Sequence, residues 1–410
     1  MYTIDSRPRN KSSRSHKIFL QCFTTEIFFM DKITTFDLLV TYTEKIAESA
    51  ILSTADIVTP FTKTSLNENY NLVYAYFLKT CRKYNLNAAF TTSADIIAAG
   101  TCSCYWLFEN NSWIKVQNKG FSKLIFDKFS PTTKKIGDSR RLLFSSEEIK
   151  SFNDPYLFEI FFDKQKTYDT FSEYSIPTVT LSNYTFRAIC EALKLLKKID
   201  DRYISKNDFS NEIVMKNKFG AGGRNVYKFN NKDIKGIIST INGNTNISYI
   251  LQPFVKFDKG FKKNNISAPT DIRLIYLGKK IIQVYIRTAK SGGFKCNEHA
   301  GGIVTYINVN EVPEKVLTLA NIISKTLNKR SSLYALDFII SNSGNIYLIE
   351  ANTGPGLDWN LSIKKNEIES KKLIRIIVKE IARRIYDADT VKVKPMDPLS
   401  PSLNSKFINI

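Results

Sequence analysis

The side chains best suited to chemistry lie in residues 333–352, which read LYALDFIISNSGNIYLIEAN. Apolar runs on both sides of an SNSG turn predict a β-hairpin. Asp337, Glu350 and Asn352 interrupt these runs with two carboxylates and an amide oxygen. Such oxygen ligands suit Mg²⁺, and a cation between two facing acids removes their repulsion. The alternative is an ordinary hairpin whose acids point into water.

The expected register of this hairpin brings the three oxygen ligands together. If a two-residue turn pairs Ile340 with Asn345, Asp337 lies opposite Leu348. Because side chains alternate between the two faces of a strand, the other two ligands then share the face of Asp337. We therefore predict a metal site on that face.

A glycine-rich loop precedes the hairpin in the segment IVMKNKFGAGGRNVYKF, residues 213–229. Lys216 ends the first predicted strand, and Gly220, Gly222 and Gly223 follow it. Glycines let backbone N–H groups close over phosphate oxygens and let a loop act as a lid. The spacing matches neither the P-loop nor the Rossmann fingerprint, and a plain tight turn is the alternative.

Two arginines interrupt the apolar segment TDIRLIYLGKKIIQVYIRT, residues 270–288. An arginine within a buried strand needs an anion. With a three-residue turn, Asp271, Arg273, Tyr285 and Arg287 share one face of the predicted hairpin. An exposed arginine pair, or arginines bound to Asp271, is the alternative.

The segment SYILQPFVKFD, residues 248–258, predicts an apolar strand that leads to Asp258. An extended segment could present backbone N–H and C=O groups to the edge of an adenine ring. The Asp258 carboxylate could then reach ribose hydroxyls. A plain core strand is the simpler interpretation of this segment taken alone.

The remaining pattern divides the chain into a small α/β unit and a larger α+β region. Strand and helix signals cover residues 30–130, a polar and basic connector covers 131–150, and the larger region covers 151–386. Residues 387–410 contain three prolines and are interpreted as a tail. Residues 1–29 form an extension of doubtful status, because Met30 could be the true start.

Composition favours a globular protein with anionic partners. The 410 residues are 43% hydrophobic and 24% charged, and the formal net charge is +20. This charge suits nucleotides, carboxylates, nucleic acid or an acidic protein, although no nucleic-acid-binding motif occurs. Six cysteines without CxxC spacing and only two histidines argue against a zinc site and favour a reduced cytoplasm. No run reaches the ~18 apolar residues of a membrane span.

The order of the motifs resembles the ATP-grasp superfamily of ATP-dependent carboxylate–amine ligases. It runs from FFDK and IPT through the lysine and glycine-rich loop to QPFV, DIR, FKCNEHAGG and finally the acids with TGPG. The resemblance looks strongest to the branch of glutamate ligases that modify ribosomal proteins. Glutathione synthetase and D-alanine–D-alanine ligase look like more distant relatives.

This resemblance implies an ATP-grasp fold of the α/β (α+β) class, with a nucleotide site between two α+β subdomains and a pre-ATP-grasp α/β domain before them. It implies ATP and Mg²⁺ or Mn²⁺ as cofactors. The implied ATP contacts are Lys164, Lys216, Gly220, Gly222, Gly223, Gln252, the Val255 backbone and Asp258. The implied metal ligands are Asp337, Glu350 and Asn352, and the implied catalytic residues are Arg287, Arg273 and Asn297. Many relatives carry an acid in place of Gln252, and Pro253 removes one backbone donor.

The implied reaction forms an amide through an acyl phosphate and releases ADP and phosphate. Its partners would be ATP, a carboxylate and an amine, drawn from amino acids, peptides or protein tails. The alternatives are a silent or regulatory nucleotide-binding protein, with nucleic acid as a partner, and a kinase that phosphorylates a hydroxyl. We expect a cytoplasmic protein, without a membrane partner, that could form homo-oligomers.

Overall fold

The computed structural model describes residues 33–51, 54–63, 65, 67–200, 206–261, 267–329, 332–357 and 363–392. The chain divides into two units, residues 1–32 and residues 33–410, and all described elements belong to the second unit. The predicted extension at residues 1–29 and the last eighteen residues of the predicted tail lie outside the described residues.

The described part of the chain forms nineteen strands and eight α-helices. The strands are β1 (Thr34–Phe36), β2 (Leu38–Tyr42), β3 (Ala88–Thr92), β4 (Ile96–Ala98), β5 (Thr101–Cys102), β6 (Tyr105–Glu109), β7 (Ser112–Val116), β8 (Gly120–Ser122), β9 (Leu124–Lys128), β10 (Lys150–Ser151), β11 (Val179–Thr180), β12 (Phe209–Asn217), β13 (Val226–Asn230), β14 (Tyr249–Val255), β15 (Thr270–Leu277), β16 (Lys280–Thr288), β17 (Ile303–Tyr306), β18 (Leu333–Ile340) and β19 (Ile346–Asn352). The helices are α1 (Tyr70–Lys83), α2 (Lys134–Leu143), α3 (Pro155–Phe162), α4 (Lys164–Thr170), α5 (Phe186–Asp200), α6 (Ile234–Asn242), α7 (Glu314–Leu327) and α8 (Lys364–Lys392).

Four sheets organise these strands. Two sheets, ordered β1-β8-β5-β4 and β10-β9-β2-β3-β6-β7, belong to the N-terminal part of the described chain. A four-stranded sheet ordered β11-β14-β12-β13 and a five-stranded sheet ordered β17-β16-β15-β18-β19 follow. The fold is therefore mixed α/β, as the sequence predicts.

The N-terminal part of the described chain combines parallel strands with helices. β2 runs parallel to β3 and β9, and the β6–β7 hairpin turns at Asn110 and Asn111. These asparagines have φ values of 47° and 64°, which asparagine tolerates better than most residues. The helix α1 buries Val73 and Phe77.

The predicted connector, residues 131–150, contains a helix that sequence analysis did not identify. α2 begins after Thr133, whose side chain accepts a hydrogen bond from the backbone N–H of Ile136. Only Ile136 and Leu143 of its ten residues are buried, and both join a core cluster of the N-terminal part. The other eight residues are mostly polar, so the sequence shows little of the apolar periodicity that predicts a helix.

The hairpin formed by β15 and β16 has the predicted face. Asp271 pairs with Arg287 and Arg273 pairs with Tyr285, so the four side chains share one side of the sheet. The turn holds two residues rather than three, and a bulge after Ile275 restores the expected register.

The register predicted for the hairpin of β18 and β19 is wrong. Ile340 pairs with Ile346, because the turn between Ser341 and Asn345 holds three residues. The backbone N–H of Ser341 donates to the carbonyl of Asn345 over 2.7 Å, and Gly344 takes a φ of 88°. A glycine in the left-handed region is typical of such three-residue turns.

A bulge in β19 brings the two acids onto the same face of the sheet. Phe338 pairs with Leu348, but the next pair is Asp337 with Glu350. One extra residue on β19 therefore restores the shared face, on which Asn352 also lies. The predicted common face holds, although the predicted partner of Asp337 does not.

The last helix is longer than predicted. α8 continues to Lys392, beyond the predicted domain end at residue 386. Its apolar face is buried in a core cluster shared with α1, and its members Leu373, Ile374, Ile377 and Ile381 are at most 1% exposed. None of the described helices combines the length and the apolar character that a membrane crossing needs.

Candidate active site

A cavity of about 840 Å³, here called the first cavity, lies between the sheet ordered β11-β14-β12-β13 and the five-stranded sheet. Many of the predicted site residues line it: Lys164, Lys216, Gly220, Gly223, Gln252, Val255, Arg287, Asn297 and Glu350. An adjoining second cavity of about 1480 Å³ shares several of these residues and adds Gly222, Arg273 and Asn352. Two predicted residues, Asp258 and Asp337, line neither cavity.

Two lysines from different elements meet beside Glu350. Lys164 is the first residue of α4, and its ammonium group donates to the carbonyl of Gly220 and lies 3.4 Å from Glu350 Oε1. Lys216 comes from β12. Burial lowers the pKa of Lys216 to about 8; the attraction of Glu350 opposes this shift, whereas Lys164 reinforces it. Both ammonium groups are therefore available to an anion in the cavity.

The glycine-rich loop joins β12 to β13 and packs against the segment that contains Asn297. Gly222 and Gly223 have φ values of 68° and 72°, which favour glycine. A Cβ atom on Gly223 would lie 2.7 Å from Asn297 Oδ1, and one on Gly222 would lie 3.3 Å from His299 Cδ2. These glycines are therefore required both by the backbone conformation and by the close approach.

Two arginines and two aspartates form a network of ion pairs beside the cavities. The guanidinium of Arg273 donates to both oxygens of Asp337, over 2.6 Å from Nε and 2.5 Å from Nη2. The guanidinium of Arg287 donates to Asp337 over 2.8 Å and to both oxygens of Asp271, over 2.7 and 2.9 Å. Burial opposes the ionisation of Asp337, but the two arginines outweigh it and hold its pKa below the usual value.

Asp337 therefore differs from the other two predicted metal ligands. It is 0% exposed, and both its oxygens accept hydrogen bonds from arginines. Glu350 and Asn352 are partly buried and line the cavities. Asp337 also lines neither cavity, so its carboxylate is directed at the arginines rather than at the open space beside Glu350.

Glu350 and Asn352 have donor chemistry that fits Mg²⁺. Mg²⁺ is commonly held by one or two carboxylates while waters and substrate phosphates fill its other positions. The described residues contain no cluster of three or more His, Cys, Asp or Glu side chains that could enclose a metal ion. This site is thus suited to a cation that arrives with other oxygen ligands.

The far end of the first cavity is apolar and contains one orphaned acceptor. Ile176, Val214 and Ile339 line this region beside Gln252. The Gln252 amide donates to Thr178 Oγ1 over 2.8 Å, whereas its Oε1 atom is buried without a hydrogen-bond partner. A buried acceptor of this kind favours a ligand that brings a donor.

Asp258 is not brought to the site with the others. Its Oδ1 atom accepts a hydrogen bond from the side chain of Asn342 over 2.8 Å, in the turn between β18 and β19. Asn342 also accepts one from the backbone N–H of Lys259 over 2.8 Å. The ribose contact of Asp258 stays a prediction.

Sequence analysis missed the residues of the second cavity that come from other parts of the chain. Tyr42, Thr43 and Lys128 lie at the carboxyl ends of the parallel strands β2 and β9, where ligands of open α/β sheets commonly bind. Lys128 donates to the carbonyls of Gly354 and Pro355 over 3.1 and 2.9 Å. No local motif marks these residues, because only the tertiary fold brings them together.

Comparison with known proteins agrees with the resemblance. Residues 191–377 match the family model of the RimK-like ATP-grasp domain. A probable alpha-L-glutamate ligase 1 from Shewanella denitrificans is 39% identical over 88 residues, which are 22% of this chain and 28% of that protein. A probable alpha-L-glutamate ligase from Legionella pneumophila (strain Corby) is 28% identical over 148 residues, which are 36% and 43% of the two chains. The matched part of the chain thus spans less than half the length of either ligase.

A solved structure extends the similarity in fold. The crystal structure of D-alanyl-alanine synthetase A from Vibrio cholerae O1 biovar eltor str. N16961 superposes with a TM-score of 0.52. The superposition covers 86% of this chain and 99% of the synthetase at 16% identity, a level that shows the fold alone. Residues 191–377 are thus similar to the RimK-like ATP-grasp domain, and the described fold is similar to that of the synthetase.

Proposed function

We propose that the protein is an ATP-dependent ligase that joins a carboxylate to an amine through an acyl phosphate. The observation that carries the proposal is the convergence of Lys164, Lys216, Glu350 and the glycine-rich loop on one cavity. This arrangement combines cations, a flexible cover and a carboxylate that can hold a metal. The name of the relatives, alpha-L-glutamate ligase, supports the same reaction class.

The first cavity accounts for ATP binding in this proposal. Adenine occupies the apolar end, where its amino group donates to Gln252 Oε1 and its ring edge meets the backbone of Val255. Lys164 and Lys216 hold the phosphates, and the loop glycines close over them with backbone N–H groups. Asp258 would contact ribose only after a movement that brings it toward the cavity.

Glu350 and Asn352 would hold the divalent metal, with Mg²⁺ as the expected ion and Mn²⁺ as the alternative. The metal supplies charge neutralisation to the β- and γ-phosphates. Asp337 acts in this proposal through the two arginines that it orients. Arg287 and Arg273 then face the reacting groups with their positions fixed by buried carboxylates.

The chemistry follows from the poor leaving group of a carboxylate. A carboxylate oxygen of the substrate attacks the γ-phosphorus of ATP, and the bond to the ADP oxygen breaks. The amine then attacks the carbonyl carbon of the acyl phosphate, loses a proton and expels inorganic phosphate with that carboxylate oxygen. Arg287 stabilises the charge on the reacting oxygens, and Asn297 lies beside the loop that excludes water.

The test is release of ADP and phosphate from Mg-ATP in the presence of pooled carboxylates and amines. Hydroxylamine is added as a strong nucleophile, because it converts an acyl phosphate into a hydroxamate. The matched control variants are Glu350→Gln at the site and Glu159→Gln on the exposed face of α3. We expect hydroxamate and ADP to form with the wild type and with Glu159→Gln, and to be lost with Glu350→Gln.

Other outcomes identify the alternatives. Tight Mg-ATP binding without ADP release from any pool supports a silent nucleotide-binding protein. ADP release that needs a hydroxyl compound and leaves no hydroxamate supports a kinase. Binding to DNA or RNA that weakens with salt would support a nucleic-acid partner, and sedimentation would test the predicted homo-oligomer.

A further inference from the structure

Three phenylalanines outside the hydrophobic cores form a stacked series, here called the phenylalanine ladder: Phe158, Phe162 and Phe219. Each is partly buried, and none belongs to the five core clusters of the described chain. The ring centroids of Phe158 and Phe162 are 5.1 Å apart at an interplanar angle of 12°. Those of Phe162 and Phe219 are also 5.1 Å apart, at 25°.

The ladder is built from separate parts of the chain. Phe158 and Phe162 are four residues apart on α3 and so lie on one helix face, whereas Phe219 belongs to the loop that precedes the glycines. The local sequence stacks the first two rings, and the tertiary fold adds the third. The ladder therefore joins α3 to the glycine-rich loop.

A cationic side chain that is itself ion-paired lies over the ring at each end of the phenylalanine ladder. The guanidinium carbon of Arg140 lies 3.7 Å from the ring centroid of Phe158, and the ammonium nitrogen of Lys218 lies 5.4 Å from that of Phe219. Arg140 is paired with Asp127 over 2.8 Å, and Lys218 with Asp163 over 2.9 Å. These ion pairs fix the rings in place before any ligand arrives.

The position of the ladder points to the substrate rather than to the core. All three rings line the second cavity, which also contains Glu350 and Arg287 at the reacting end. The same rings line a third cavity of about 1090 Å³. A ladder with a purely structural role would be covered by other side chains, whereas this one faces open space on two sides and gains free energy when a ligand covers it.

We infer that one of the two joined substrates carries an aromatic side chain next to its reacting group and binds it against the phenylalanine ladder. The inference rests on the proposed ligase function and narrows its substrate class. It differs from the acidic side chain that the name of the glutamate ligases indicates for those relatives. Because the ring faces are already covered, the substrate ring would meet the ring edges, and an edge-to-face aromatic contact contributes about two- to tenfold to affinity beyond the area that it buries.

The experiment compares matched probes with the full chain in the presence of Mg²⁺ and a non-hydrolysable ATP analogue. Phenylalanine, phenylalanine amide, leucine amide and glutamate are titrated by saturation-transfer NMR, and the same compounds are tested for ADP release with Mg-ATP. The variants are Phe162→Leu and Phe158→Leu, which keep apolar volume but remove a ring. Phe121→Leu is the matched control, since Phe121 is partly buried in β8 and lines none of the three cavities.

We expect a phenylalanine probe to bind about two- to tenfold more tightly than leucine amide or glutamate. This preference should disappear in both ladder variants and persist in Phe121→Leu, with thermal unfolding confirming that the variants are folded. Equal binding of the probes, or a preference unchanged by the ladder variants, would overturn the inference. ADP release that favours glutamate would also overturn it while leaving the ligase proposal intact. Ladder-dependent binding without any ADP release would instead support the aromatic site and contradict the ligase reaction.

Discussion

Two acids that face each other across β18 and β19 have opposite environments. Asp337 is completely buried and binds Arg273 and Arg287. The Glu350 side chain is 18% exposed, lines both cavities and lies near Lys164. Residues of the same chemical type on the same face thus serve different purposes: one orients cations within the protein, and the other is open to ligands. Burial, rather than residue type, distinguishes these purposes.

The largest expected effect is on stability, from Asp337→Asn. The substitution leaves two buried arginines without a full counter-charge, which costs about 3–5 kcal/mol. Urea unfolding should show this loss for Asp337→Asn, whereas Glu350→Gln should change the free energy of unfolding by less than about 1 kcal/mol. Equal losses in the two variants would remove the distinction between the acids.

The second prediction concerns turnover, on which the substitution of Glu350 has a large effect. Because a metal contributes several kcal/mol to such a transition state, Glu350→Gln should lower kcat by at least about a hundredfold. The fold should survive, as circular dichroism can verify. A folded Glu350→Gln protein with wild-type kcat would show that turnover does not need the charge of the Glu350 carboxylate, which would contradict its proposed role at the metal.

The third prediction compares a glycine of the glycine-rich loop with a glycine elsewhere that has the same φ of 72°. Gly223→Ala places a Cβ atom 2.7 Å from Asn297 Oδ1, whereas a Cβ atom on Gly292 meets nothing within 4 Å. Both substitutions carry a backbone cost of about 1–2 kcal/mol. We expect Gly223→Ala to raise the Kd for ATP by about tenfold more than Gly292→Ala does, measured by calorimetry. Matching Kd values would show that the contact with Asn297 has no part in binding.

The smallest expected effect is the pH dependence of ATP binding. The pKa of Lys216 is lowered to about 8 in the free protein, so the ammonium group loses its proton as the pH rises through 8. ATP phosphates favour the charged form, so binding above pH 8 should take up a proton and weaken as the pH rises. Calorimetry at pH 8.5 in buffers of different ionisation enthalpy measures this uptake. Lys216→Arg should abolish it, and an absence of uptake in the wild type would contradict the assignment.

The two hairpins of the five-stranded sheet show what could be predicted from sequence. Alternation and an assumed three-residue turn placed Asp271, Arg273, Tyr285 and Arg287 on one face, and the observed two-residue turn with its bulge keeps the same register. The register of the other hairpin required knowledge of its three-residue turn and its bulge. Neither has a strong local signal, although the glycine of SNSG is the residue that such a turn needs.

The pairing of Asp337 with two arginines could not be derived from the separate hairpins. It depends on β15 lying next to β18, which places Arg273 opposite Asp337. The phenylalanine ladder was missed for a similar reason, since the contact between Phe162 and Phe219 joins segments that are distant in the chain. Periodicity and motif order therefore predicted the elements and the family, whereas the division of roles among the charged residues needed the tertiary structure.

The most direct test of the ligase account follows the fate of a carboxylate oxygen. The carboxylate that supports ADP release is labelled with ¹⁸O, and the phosphate released during turnover with Mg-ATP is analysed by mass spectrometry. The account predicts that each phosphate carries one ¹⁸O atom, because the acyl phosphate forms through that oxygen. Unlabelled phosphate during turnover would show that the carboxylate is never phosphorylated and would contradict the proposed mechanism.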